Sequence, residues 1–128
     1  MLRSLKGLSI MFRVPVALAV AAAVVVSPQP VWAHARLVSA TPGDGQTASD
    51  VRSVSLTFSE RFAAPFSSIE LEDAQGRAVP LRSSVSSDGK ILSGRLETPL
   101  SAGVYRVTWA IAASDGHRMT GSYTFTAR

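Results

Sequence analysis

The chain has 128 residues with 13 basic and nine acidic side chains, and it contains no cysteine. This length allows one domain, and the absence of cysteine excludes a fold held by disulfide bonds. The net charge of +4 does not indicate a nucleic-acid-binding protein. Three basic residues lie in the first 33 positions, and the remainder carries ten basic and nine acidic side chains, a net charge of +1.

Residues 1–33 have the composition of a secretory signal peptide. Three basic side chains precede an apolar run over residues 14–26, and Val31 and Ala33 place small side chains at the −3 and −1 positions of a cleavage site. The run is shorter than the roughly 20 residues that a bilayer span needs. We therefore predict cleavage after Ala33, no stable membrane anchor, and a periplasmic mature chain that begins at His34.

The mature chain, residues 34–128, shows the two-residue hydrophobic period of half-buried strands. Turn signals such as Ser87-Asp88-Gly89 separate the periodic segments. These features predict an all-β fold, an antiparallel β-sandwich of about seven strands in a single domain. The segments with alternation are Val54–Phe58, Tyr105–Ile111 and Tyr123–Phe125, with weaker patterns at Ile69–Leu71 and Leu92–Leu96.

Aromatic residues of the mature chain fall mostly at strand positions. Strand spacing favours a place in the core over a platform for stacking a ligand, so we expect these side chains to be buried. The residues are Phe58, Phe62, Phe66, Tyr105, Trp109, Tyr123 and Phe125.

The mature chain has only two histidines, His34 and His117. An N-terminal histidine can chelate one metal ion through two atoms, its α-amine nitrogen and its imidazole Nδ1. The reference pKa of an α-amine is about 7.7–8.0, so a metal ion displaces its proton readily near neutral pH. Asp115 lies two residues before His117, and residues i and i+2 of an extended segment project to the same side. Gly116 between them permits backbone angles that help both groups converge. Together these residues predict a site with three nitrogen donors and one oxygen donor.

This donor set favours Cu(II) over other metals. Nitrogen and oxygen ligands in a tetragonal arrangement suit Cu(II) or Ni(II), and the Irving–Williams order favours Cu(II). Cu(I) prefers sulfur ligands, and the mature chain offers only Met119, so we expect no dedicated Cu(I) site. Simpler interpretations stay open at this point: His34 as a solvated terminus, and Asp115-Gly116 as a hairpin turn with His117 exposed.

Three segments of the mature chain carry a family resemblance: HARLVSATPGDGQ at its start, LTFSE, and GVYRVTWAIAASDGHRMTGSYTF. The last segment is the specific one. It combines Gly-x-Tyr-x-Val-x-Trp with Ser-Asp-x-His-x-x-x-Gly, which Gly121 completes. With these segments the chain resembles the CopC-type, or PcoC-like, copper-resistance family of periplasmic copper-binding proteins over nearly all of residues 34–128.

The resemblance implies an Ig-like or cupredoxin-like Greek-key β-sandwich. It implies one Cu(II) per chain, bound through His34, Asp115 and His117, with Glu60 at the end of LTFSE as an outer or weak ligand. It also implies a role in copper resistance, homeostasis or delivery, with a CopD-type inner-membrane copper transporter as partner. We expect a monomer that binds no nucleic acid. The methionine-rich segment of some family members is absent here.

Two other functions remain open from the sequence. A copper oxidase with a histidine brace would also use His34, but Asp115 in the equatorial set would occupy the position that oxygen chemistry needs, so we expect no enzyme. A metal-free Ig-like interaction module would need neither His34 nor His117. Oxygen consumption with ascorbate distinguishes the oxidase from a carrier, and copper binding distinguishes the carrier from the module.

Overall fold

The computed structural model describes Gly7 and residues 35–128. The predicted signal peptide, apart from Gly7, and His34 therefore lie outside the described residues. Residues 35–128 form nine strands and one short 3-10 helix, and no helix in this part of the chain has the length and apolarity to cross a bilayer. The elements are β1 (Leu37–Thr41), β2 (Thr47–Ala48), β3 (Ser53–Phe58), the 3-10 helix (Ala64–Phe66), β4 (Ser68–Asp73), β5 (Ala78–Val79), β6 (Arg82–Val85), β7 (Ile91–Arg95), β8 (Gly103–Ala112) and β9 (Arg118–Ala127).

The strands form two sheets, in the orders β1-β3-β7-β6 and β2-β9-β8-β4-β5. Seven of the described strands have four or more residues, which agrees with the predicted number. Every pair of these longer strands is antiparallel, as predicted. The predicted antiparallel sandwich is therefore confirmed, and the two-residue strand β2, which pairs parallel with β9, is an addition to it.

The two sheets face each other across one hydrophobic core. Successive side chains of a strand point to opposite faces, so Leu56 and Phe58 of β3 and Val107 and Ile111 of β8 all point inward and are at most 1% exposed. The ring of Phe58 contacts the ring of Trp109, which belongs to the other sheet, in an edge-to-face arrangement with centroids 5.0 Å apart. The alternation in the sequence therefore predicts the buried faces correctly.

Phe66 is the exception among the aromatic residues. It ends the 3-10 helix and is 67% exposed, so the prediction that it belongs to the core is wrong. The helix connects β3 of one sheet to β4 of the other. Because this connection is not a strand, the two-residue period that predicts the buried aromatic residues of the strands does not apply to it.

The protonated hydroxyl of Tyr123 in β9 makes the stability of the fold depend on pH in the alkaline range. Its hydroxyl donates a hydrogen bond to the Pro42 carbonyl oxygen at 2.8 Å, and burial, with the nearby Asp44 carboxylate, raises the pKa of Tyr123 to about 12. An unfolded tyrosine has a pKa of about 10, so the folded state binds this proton more tightly. Its contribution to stability is therefore present below pH 10 and is lost as the pH rises to about 12.

Denaturant unfolding at pH 9 and pH 11 measures this effect. We expect the wild-type free energy of unfolding to fall between these pH values, and Tyr123→Phe to reduce that fall because the substituted side chain cannot ionise. The control is Tyr105→Phe, which removes a different hydroxyl, the donor of a 2.8 Å bond to the Ser101 carbonyl oxygen. An equal fall in wild type and Tyr123→Phe would contradict the prediction.

Candidate metal site

Asp115 and His117 lie in the turn that joins β8 to β9, which we call the β8–β9 turn (residues 113–117). The Gly116 N–H donates to the Ala113 carbonyl oxygen at 2.9 Å, and the Ala113 N–H donates to the His117 carbonyl oxygen at 2.9 Å. Gly116 has φ +88°, a conformation that glycine adopts with little steric cost and that closes a short hairpin loop. The interpretation of Asp115-Gly116 as a hairpin turn is therefore correct.

The Asp115 carboxylate contacts both the backbone and the ring of His117. Its Oδ1 accepts a hydrogen bond from the His117 N–H at 3.0 Å, and its Oδ2 lies 2.9 Å from Nδ1. An aspartate that binds a backbone N–H two residues ahead forms an Asx-type turn. The two side chains converge through this turn, whereas the sequence argument placed them on one side of an extended strand.

This contact restricts the orientation of the His117 imidazole. A carboxylate bound to one ring nitrogen of a histidine fixes the orientation of the ring. The His117 side chain is 56% exposed and the Asp115 side chain 35% exposed, so a metal ion or a partner can reach the pair from solvent.

The loop after β3, residues 59–63, packs against the β8–β9 turn. Phe62 forms an isolated β-bridge with Ala113. Its ring is 4% exposed and meets Phe58 edge to face at 5.3 Å, which ties the loop to the core. The turn that carries Asp115 and His117 therefore rests on a well-packed support.

Ala35 and Arg36, the first described residues after the predicted cleavage site, lie against the same loop. Ala35 is fully buried. The Arg36 N–H donates to Ser59 Oγ at 2.9 Å, and the Ser59 N–H donates to the Arg36 carbonyl oxygen at 2.8 Å. The segment that follows His34 in the sequence is thus fixed at the end of the sandwich where the β8–β9 turn lies. The position of His34 itself lies outside the described residues.

Ser59 is a positioning residue that the sequence pattern does not predict. Its only signal is its place in the LTFSE segment, directly before Glu60. Ser59 and Arg36 are 23 residues apart in the sequence, and a contact between residues so far apart cannot be predicted from local periodicity.

Glu60 is exposed and lines a groove of about 320 Å³ beside the β8–β9 turn, together with Ser114. Within residues 35–128 no cluster of three or more His, Cys, Asp or Glu side chains is close enough to hold a metal ion, so Glu60 does not join Asp115 and His117 in such a cluster. A tight site therefore needs further donors, and His34 is the predicted donor outside this part of the chain.

Known proteins resemble this chain over most of its length. The family model of the CopC domain matches residues 37–128. Copper resistance protein C of Xanthomonas campestris pv. juglandis is 32% identical over 104 residues, 76% of this chain and 82% of the relative. Copper resistance protein C of Pseudomonas syringae pv. tomato is 35% identical over 100 residues, 73% of this chain and 79% of the relative.

A solved structure shows the same fold. The crystal structure of PcoC, a methionine-rich copper resistance protein from Escherichia coli, superposes with a TM-score of 0.69 at 32% identity. The match covers 75% of this chain and 100% of that chain. The two-sheet architecture described above is therefore shared with a protein whose sequence is clearly related.

Proposed function

Because this chain belongs to the CopC family of copper-resistance proteins, we propose that it binds one Cu(II) ion in the periplasm and buffers it or delivers it to a membrane transporter. The observation that carries this proposal is the Asp115–His117 pair, held at the same end of the sandwich as the anchored start of the mature domain. The relatives named copper resistance protein C support copper as the metal.

The proposed ligands are the α-amine and imidazole of His34, the imidazole of His117, and one carboxylate oxygen of Asp115. The contact between Asp115 Oδ2 and His117 Nδ1 opens when both side chains bind the ion. Consecutive Cα atoms lie about 3.8 Å apart, so a mature terminus at residue 34 stays close to Ala35, which is fully buried. A short, anchored terminus loses less conformational freedom on binding than a long flexible one. This set gives the N₃O donors that Cu(II) prefers.

The methionine content supports Cu(II) rather than Cu(I) as the bound state. Met119 is the single methionine of residues 34–128, and it is partly buried and packed against the core. A side chain used in packing is poorly placed to serve a thioether site. This domain therefore does not share the methionine-rich character of PcoC.

We propose a carrier rather than an enzyme. With Asp115 in the equatorial set, the ion has the carboxylate where a copper oxidase needs an open position for oxygen. The exposed pair at the β8–β9 turn instead suits exchange of the ion with a partner. A CopD-type membrane transporter is the partner that we propose.

Copper titration of the chain that begins at His34 tests the ligand set. Trp109 is the only tryptophan of residues 34–128, so quenching of its fluorescence can report binding. We expect a 1:1 end point for wild type and a loss of affinity above about 100-fold for His117→Ala, which removes a ligand. Asp115→Asn should also lose affinity by more than about 100-fold, because it removes both the proposed oxygen ligand and the carboxylate that contacts the His117 ring.

Ser114→Ala is the matched control, because Ser114 is an exposed residue of the same turn that we do not place in the site. Its affinity should equal that of wild type. A His117→Ala variant that binds copper as tightly as wild type would contradict the proposed ligand set.

A further inference from the structure

An arginine-lined pocket lies at the end of the sandwich opposite the β8–β9 turn. Strand β3 starts beside this pocket and ends beside the Glu60 loop, so six residues, roughly 20 Å, separate the two ends. The pocket has a volume of about 540 Å³. Its lining residues are Arg52, Arg82, Arg95, Leu96 and Glu97.

Two of these arginines lie side by side on adjacent strands. Arg82 of β6 and Arg95 of β7 are direct partners in the antiparallel register. The neighbouring Gly94 is buried, so Arg95 and its partner project from the opposite, solvent-exposed face. Like charges at directly opposed positions destabilise a sheet. The fold gains nothing from this pair, whereas an anion between the two guanidinium groups would offset their repulsion.

The nearby carboxylates do not neutralise the pocket. Arg82 pairs with Glu97 at 3.3 Å, with the two side chains 81% and 74% exposed, and Arg52 pairs with Asp50 at 3.1 Å. Within the described part of the chain no ion pair is found for Arg95. Exposed ion pairs contribute little, so an incoming anion can compete with both carboxylates for these arginines.

We infer that this pocket binds a phosphate group, either free or on a lipid. Guanidinium groups bind phosphate oxygens in pairs of parallel hydrogen bonds, and two or three arginines around one cavity are suited to this geometry. The site does not depend on the proposed copper site. A phosphate bound here leaves the β8–β9 turn at the far end of the sandwich accessible to metal and partner.

Two probes test the inference on the chain that begins at His34, since residues 35–128 have a hydrophobic core of their own. Inorganic phosphate is titrated by NMR, and co-sedimentation is measured with phosphatidylglycerol vesicles and with phosphatidylcholine vesicles. We expect Arg95→Gln to weaken binding about five-fold, the effect of one arginine at an anionic surface. Glu97→Gln should strengthen binding, because it removes the competing carboxylate.

Arg106→Gln is the matched control, because it removes the same charge from β8 in the other sheet. Changes in NMR chemical shifts around Arg95 on addition of inorganic phosphate would identify a free phosphate ligand. Binding to phosphatidylglycerol vesicles without such changes would identify a lipid headgroup. Either result supports the site if Arg95→Gln weakens it and Arg106→Gln does not. Equal losses in both variants, or no binding of either probe, would overturn the inference.

Discussion

One residue added before His34 should reduce Cu(II) affinity by more than about 100-fold. The addition converts the α-amine into an amide, so the chelate ring formed with the imidazole is lost. Removal of a partner that only orients a metal-bound histidine costs about 10- to 100-fold, and loss of a ligand itself should cost more. Titration against a competing chelator measures the difference between the two chains.

A second modification of the N-terminus is needed to separate loss of the amine from disturbance of the neighbouring hydrogen bonds. An added residue could also disturb the Arg36–Ser59 hydrogen bonds, which hold the segment after His34 in place. Acetylation of His34 removes the amine charge without adding a residue, and it should cause a similar loss. One residue added after Arg128 is the control and should leave affinity unchanged. Equal affinities for the extended, acetylated and native chains would contradict the proposed site.

Gly121→Ala should destabilise the fold by about 1–3 kcal/mol or more, the usual cost of overpacking a core. Gly121 of β9 lies directly opposite Trp109 of β8. A Cβ atom at this position would lie 2.6 Å from Cε2 and 2.9 Å from Nε1 of the indole, closer than side chains pack. Phe58 of the other sheet contacts the indole edge to face at 5.0 Å, and this contact opposes movement of the ring.

Thermal unfolding measures this effect, since 1 kcal/mol shifts the Tm of a domain of this size by about 4–8 °C. Ser122→Ala is the matched control, because Ser122 is the exposed neighbour of Gly121 on the same strand. In a Trp109→Phe background the cost of Gly121→Ala should shrink, since the smaller ring leaves space for the Cβ atom. A Gly121→Ala variant as stable as Ser122→Ala would show that the indole can move aside.

The strands with one buried face could be predicted from the sequence, and the others could not. Strands β3, β8 and β9 each have an inward row of large apolar residues, so hydrophobicity alternates along them. Strand β6 lies at a sheet edge and reads Arg82-Ser83-Ser84-Val85, without that alternation. Strands β2 and β5 have two residues each, too few for any period to show.

The candidate site could be predicted only in part. The Asp115-x-His117 spacing is local, and a short turn closed by Gly116 keeps these residues together in any fold that forms the hairpin. The support of the site is not local. Ala35 is buried and Ser59 contacts Arg36 only because the segment before β1 lies against the loop after β3, a tertiary contact that no short motif encodes.

Electron paramagnetic resonance of the 1:1 Cu(II) complex, formed with the chain that begins at His34, tests the central claim most directly. A single tetragonal Cu(II) signal with couplings to three nitrogens is the predicted result, because the amine and two imidazoles supply three of the four proposed donors. A signal from unbound or heterogeneously bound copper would contradict a single Cu(II) site built from His34, Asp115 and His117.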